Sequence, residues 1–143
     1  MAADLSPRLL AIVNALPLRE GMRVLEIGCG PGAAAREVAR RIGNGHVLAI
    51  DRSAKAIAQA RTLSQAEITS GKLSFRQVAA EELELAPGEP PYDLAFAVRV
   101  GALDGRHPEA ERQAKRRIAA ALTSSGRLFI DGGDPLRQIA LED

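Results

Sequence analysis

Val24-Leu25-Glu26-Ile27-Gly28-Cys29-Gly30-Pro31-Gly32 is the stretch on which the fold turns. Val24, Leu25 and Ile27 form a short apolar run entering a glycine cluster, the pattern of a buried parallel strand. Glycines at this place let the backbone turn sharply and let a ligand approach its N–H groups with no Cβ in the way. From Ala33 the period changes: Ala34, Val38 and Ile42 recur every four residues until Gly43 supplies a helix stop. The stretch therefore reads as strand, glycine bend and helix, with the positive end of the helix dipole at the bend.

Working outward, the same alternation repeats. Upstream, Ser6 and Pro7 read as N-cap and first position of an amphipathic helix that buries Leu9, Ile12, Val13 and Leu16 and ends near Pro17. Downstream, His46 to Ile50 is a β-rich run closed by Asp51, and Ser53 caps a helix through Ile57 and Ala60 toward Gly71. Leu73 to Val78 reads as a third strand, the proline-rich stretch Leu85 to Pro91 as a loop, and Tyr92 to Val98 as a fourth strand. Pro108 opens a helix carrying Ala110, Ala114, Ile118 and Leu122 on one face, stopped at Ser125-Gly126, before a fifth strand at Leu128 to Ile130. Alternating strands and helices imply right-handed crossovers and a mainly parallel sheet with helices on both faces. The expected fold is α/β and doubly wound, a Rossmann-like sheet of about five strands in the order 3-2-1-4-5. It occupies one domain, residues 1–143, with an N-terminal helix over 1–18, a core over 20–131 and a tail over 132–143. Ligands of such sheets bind beyond the carboxyl ends of the strands where strand order reverses, so the ends of the first and fourth strands are the places to look.

Composition narrows the partners. Apolar residues make up 46% and charged residues 26% of 143 residues, values of an ordinary globular chain. No run approaches the roughly 20 apolar residues of a spanning helix, and the N-terminus lacks the cleavage pattern of a secretory signal, so a cytoplasmic site is expected. A net charge of +1 without blocks of like charge argues against a nucleic-acid or membrane surface and for a small-molecule substrate. Cys29 is the sole cysteine and His46 and His107 stand apart, so no metal site is expected.

Asp51 lies about twenty residues beyond the bend at a strand end, where a carboxylate accepts hydrogen bonds from both hydroxyls of a ribose. Adenosine recognition follows. Gly28, Gly30 and Ala33 also satisfy the fingerprint of dinucleotide-binding folds, which keeps an NAD(P)-binding oxidoreductase open as an alternative. Two details separate these readings. Glu26 puts negative charge beside the pocket, favourable to an ammonium and unfavourable to a pyrophosphate. Pro31 removes a backbone N–H that would help cradle phosphate. Both favour a cationic ligand without phosphate.

Glu26-Ile27-Gly28-Cys29-Gly30-Pro31-Gly32 resembles motif I of the class I S-adenosylmethionine-dependent methyltransferases. Asp51, in Leu48-Ala49-Ile50-Asp51-Arg52-Ser53, is similar to that family's ribose-holding acid. Val78-Ala79-Ala80-Glu81-Glu82 resembles its adenine-contacting turn, Tyr92 to Val98 its motif IV strand, and Ser125-Gly126-Arg127-Leu128-Phe129-Ile130 the glycine turn and strand behind motif VI. The resemblance covers residues 20 to 131. It implies S-adenosyl-L-methionine as cofactor, with S-adenosyl-L-homocysteine as product. The implied cofactor-binding set is Glu26, Gly28, Cys29, Gly30, Gly32, Asp51, Arg52, Ala80, Glu81 and Val98, with Gly28 and Gly30 at the methionine end and Glu26 near its amino group. Family members usually continue with two more strands that complete a seven-stranded sheet, whereas this chain stops soon after its fifth. Arg99 stands at the end of the fourth strand, where many relatives place a polar uncharged or acidic residue.

Methyl transfer from a sulfonium is an in-line displacement, so alignment is the protein's main task. A base helps only if the acceptor must lose a proton, and His107 and Asp104, after the fourth strand, are the nearby candidates. The simpler reading of His107 is a helix-cap residue before Pro108. Arg99 reads either as a grip for a substrate carboxylate or as a solvated or ion-paired cation. Asp51 could also be a turn residue capping the next helix, Glu81-Glu82 a charged helix start, Cys29 a space-filler, and Asp93 an anchor for the start of the fourth strand. Three functions are in play: methyl transfer to a small molecule, a non-catalytic S-adenosylmethionine-binding module, and the oxidoreductase. In the first, the N-terminal helix and the loop from Arg99 to Pro108 enclose the substrate. The edge of the fifth strand should be masked by residues 132–143 or by a second subunit in a homodimer.

Overall fold

A computed structural model of the chain describes residues 5–103 and 105–141. Its strands are β1 (Arg23–Ile27), β2 (His46–Asp51), β3 (Leu73–Gln77), β4 (Tyr92–Ala97), β5 (Leu122–Asp131) and β6 (Leu136–Ile139). The helices are α1 (Pro7–Ala15), α2 (Ala33–Arg41), α3 (Ala54–Leu63), α4 (Gln65–Thr69) and α5 (Pro108–Ala121), with single 3-10 turns at Ala80–Glu82 and Gly101–Leu103. They build one sheet in the order β3-β2-β1-β4-β5-β6. All pairings are parallel except β5 with β6. The chain leaves β1 toward β2 on one side and later returns to pair β4 on the other, so strand order reverses at β1 and β4.

Alternation along the strands feeds two cores. Val24, Val47, Leu94 and Phe96 face the side covered by α1, α2 and α3 through Val13, Val38 and Ile57. Leu25, Leu48, Ala95 and Leu128 face the opposite side, covered by α5 through Ala114 and Ile118. β1 and β4 are buried on both faces, which is why their sequences are nearly unbroken apolar runs. Ser6 caps α1 as expected, its Oγ accepting from Leu9 N at 3.2 Å. Asp93 fixes the register of the two central strands: its Oδ2 accepts from Arg23 N at 2.9 Å.

The doubly wound reading holds, with differences at three places. The helix expected from Ser53 toward Gly71 is two helices, broken at Ser64, where φ −120° and ψ 26° leave the helical region. Ser64 is fully buried and its Oγ accepts from Arg36 Nη1 at 2.9 Å, so a tertiary bond overrides local helix propensity. The helix expected to stop at Ser125-Gly126 stops at Ala121, and Leu122 is already extended and paired with Tyr92. Ser125 and Gly126 lie inside β5, at a register shift opposite Tyr92 and Leu94. Backbone and side-chain atoms crowd Gly126, so it serves a bulge and not a helix end.

The third difference is a sixth strand. The sequence leaves open whether residues 132–143 or a second subunit masks the edge of β5; the chain itself turns back there as β6, which pairs Ile130 with Arg137 and Leu128 with Ile139. Gly133 makes this turn possible: a Cβ there would lie 2.1 Å from the Leu136 carbonyl oxygen, closer than any atom tolerates. Substitution Gly133→Ala is expected to open the β5–β6 hairpin and to destabilise the chain by about 1–3 kcal/mol. Denaturant unfolding checks the energy, and hydrogen exchange at the Phe129 and Gln138 amides checks the place.

Candidate functional site

The glycine bend leaves β1 and is stitched to the end of β2. Gly28 N and Cys29 N both donate to the Ile50 carbonyl, at 2.8 and 3.0 Å. Gly30 N donates to Asp51 Oδ2 at 2.9 Å, and Ser53 N donates to Asp51 Oδ1 at 2.9 Å. Gly32 N closes the bend onto the Cys29 carbonyl at 3.0 Å. Asp51 therefore faces the bend directly. The amides of residues 28, 29, 30 and 32 are all engaged within the protein, and Pro31 has none.

Two cavities open at this edge of the sheet. The first, about 450 Å³, lies between the end of β1, the end of β2, the Ala80–Glu82 turn and the start of α5. Gly28, Asp51, Arg52, Ala80, Glu81, Arg99 and His107 all reach it. The second, about 220 Å³, lies under α1, where Ser6, Arg8 and Leu9 face Glu26, Cys29, Gly30 and Val98. Gly28 and Arg99 border both, so the cavities adjoin at the end of β1. Gly28 has φ +71°, and a Cβ would meet Val100 Cγ2 at 2.7 Å.

Glu26 is the unusual group. It is 3% exposed, lies on the wall of the second cavity, and its Oε1 has no hydrogen-bond partner. Burial first, and then the neighbouring Asp51 carboxylate, push its pKa up to about 8, against the pull of the Arg36 guanidinium. Burial also holds the Cys29 thiol well above its usual range, with Glu26 and Asp51 adding to the effect, so the thiol is held in its protonated form.

The cleft gathers most of the expected residues. Gly32 is the exception among the glycines: it sits behind the bend, facing Phe75 and Arg36, and lines neither cavity. His107 occupies the N-cap position of α5, but its side chain makes no capping bond and is exposed at the first cavity. Asp104 lies outside the described residues. Residues that sequence reasoning passed over complete the frame. Arg36 is buried and donates to the Pro31 carbonyl at 2.8 Å, bracing the bend from behind. Asp131, at the end of β5, accepts from Arg8 Nη2 at 2.5 Å and from Arg99 N at 3.1 Å. That pair draws α1 over the second cavity. Only register along β5 could have placed Asp131 beside Arg99, and that register depends on the bulge at Gly126.

A glycine bend facing an acid across the switch point of a doubly wound sheet defines an α/β domain with its ligand cleft at the carboxyl ends of the strands. Residues 24–126 match the family described as Methyltransferase domain, and the chain belongs to the class I S-adenosylmethionine-dependent methyltransferase family. It is 35% identical over 86 residues to a trans-aconitate 2-methyltransferase of Streptomyces avermitilis, covering 60% of this chain and 30% of that protein. It is 31% identical over 121 residues to an O-methyltransferase of Pyrenophora dematioidea, covering 85% and 43%. The fold matches that of coclaurine N-methyltransferase bound to N-methylheliamine and SAH, with a TM-score of 0.70 at 20% identity, over 85% of this chain and 35% of that one. The chain thus spans less than half the length of each of these proteins.

Substitution Gly28→Ala tests the neck between the cavities. The new methyl group must displace the end of the Val100 side chain and accept a left-handed backbone, a combined penalty of about 1–2 kcal/mol. Ligand affinity is expected to fall about tenfold, measured by titration calorimetry with S-adenosylhomocysteine.

Proposed function

We propose that this chain binds S-adenosylmethionine across the two adjoining cavities and transfers its methyl group to a small-molecule acceptor. The observation that carries the proposal is the orphaned Glu26 Oε1, buried at the wall of the second cavity beside the glycine bend. A buried carboxyl oxygen without a partner is costly, and an ammonium group of a ligand satisfies it as the group ionises. The rest of the cleft suits the other end of the same molecule. Both Asp51 oxygens accept one backbone N–H, and each keeps a lone pair for a ribose hydroxyl. Val78, Ala80 and Val100 offer an apolar slot for a purine, with Glu81 and Arg52 at its polar rim.

The dinucleotide alternative has weak support. A pyrophosphate needs free N–H donors in the bend, and those of Gly28, Cys29, Gly30 and Gly32 are already used.

Bound S-adenosylmethionine would supply an activated methyl group whose bond electrons the sulfonium sulfur would keep, so that an acceptor lone pair could form the new bond. The protein's share is alignment, worth roughly 7–11 kcal/mol in well-oriented reactions. Gly28 and Arg99, where the cavities join, border the place for the transfer, and α1 with the Arg99 to Ala102 segment shields it from water. If the acceptor must lose a proton, His107 is the described residue at the first cavity suited to take it. Turnover of methyl-labelled S-adenosylmethionine with a metabolite panel tests the proposal. Label transfer supports it; tight binding without transfer to any acceptor supports instead a module that only holds the cofactor.

A further inference from the structure

We propose that the acceptor carries an oxyanion, carboxylate or phosphate, held by Arg99 and Arg137 at the mouth formed by β4, β5 and β6. The proposal rests on the cofactor reading for its role in methyl transfer, and on separate residues for the binding itself.

A third cavity of about 230 Å³ opens beside the first two. Its floor is apolar, built from buried Ala97, Leu103 and Ile130, and its rim carries Arg99 and Arg137. Among the described residues, neither guanidinium has an ion pair or a side-chain hydrogen bond. Asp131 also lines this cavity, but Arg8 and the Arg99 N–H hold its two oxygens, so its charge is already answered. Two unpaired planar cations over a small apolar floor suit a compact anion, because guanidinium groups bind carboxylate and phosphate with matched pairs of N–H donors. The cavity is smaller than the roughly 300 Å³ at which drug-sized pockets begin, which fits the anionic end of a metabolite.

Backbone strain points to the same residue. Arg99 is the one described non-glycine residue with positive φ, at +57°, a strained conformation for any residue with a Cβ. Its N–H bond to Asp131 holds it there, and the result is a side chain that borders all three cavities. β6 gains a function as well as a structural role, since its pairing with Ile130 brings Arg137 to the mouth.

The test is calorimetry on the protein saturated with S-adenosylhomocysteine, using glutarate, its neutral diamide glutaramide, and glycerol 3-phosphate. At least one anion is expected to bind and glutaramide to bind at least about tenfold more weakly, the loss of a charge-assisted contact. The better anion assigns the head group as carboxylate or phosphate. Arg137→Gln, an exposed change on an edge strand, should weaken that anion about tenfold or more and leave S-adenosylhomocysteine affinity within about threefold. Arg99→Gly relieves the strained backbone, so it should unfold no more easily than the parent while weakening the anion similarly. Failure of both anions to bind, equal binding of glutaramide, or unchanged anion binding by Arg137→Gln overturns the proposal. If S-adenosylhomocysteine itself does not bind, the cofactor reading has failed, and the same titrations on the bare protein decide the arginine site alone.

Discussion

Substituting Asp51 by alanine is expected to weaken S-adenosylhomocysteine binding by about a hundredfold or more. Two hydrogen bonds from ribose hydroxyls to a carboxylate would be lost, each worth about 1.5–3 kcal/mol. The same change frees Gly30 N and Ser53 N from their partner, so the bend loses the tie that points it at the end of β2. Thermal unfolding measured alongside the titration separates these effects: the affinity loss should exceed what a modest drop in stability explains. Asp51→Asn is expected to lie between the two, because the amide keeps one acceptor but turns a donor toward a backbone N–H.

The second large effect concerns Glu26 and pH. Its ordinary value is near 4.5 and the folded, ligand-free chain raises it to about 8. Between those values the folded state keeps the proton and the unfolded state releases it, so the unfolded state binds fewer protons and stability falls as pH rises. Glu26→Gln removes this penalty and should be the more stable protein at pH 8, by on the order of a few kcal/mol. Binding runs the other way. A ligand ammonium favours the carboxylate, so uptake at pH 7 is coupled to release of a proton from Glu26, and affinity should rise from pH 6 to 7.5, by at most about tenfold per unit. Calorimetry in buffers of different ionisation enthalpy measures the proton directly. In Glu26→Gln the buffer dependence from this group should vanish and affinity should fall, a combination of greater stability and weaker binding that a packing defect does not produce.

The parts of this molecule legible in the sequence are those written in short-range pattern. The strand-bend-helix unit from Val24 to Ile42 is local, and so is the acid at the end of β2. The parallel, doubly wound sheet follows from the alternation of elements and the handedness of crossovers, and its order is the one usual for dinucleotide-binding sheets, extended by one antiparallel strand. What stayed hidden depended on distance. Ser64 breaks a helix to meet Arg36, 28 positions away. Asp131 reaches Arg8 across 123 positions and Arg99 across 32. β6 is short and polar, with Arg137 and Gln138 exposed, so it lacks the apolar signature that marks the central strands. Its existence depends on the Gly133 turn and on the unpaired edge of β5, which a sequence reading locates but does not shape. The sequence places the charge of Glu26 beside the pocket; its isolation inside the protein is visible only when the packing around it is known.

The most direct test is a calorimetric titration of the purified chain with S-adenosylhomocysteine, with NAD as a parallel ligand. The cleft at Gly28, Glu26 and Asp51 predicts one site per chain, with a Kd below about 100 µM, and no detectable uptake of NAD. Absence of S-adenosylhomocysteine binding, or preference for NAD, would contradict the account.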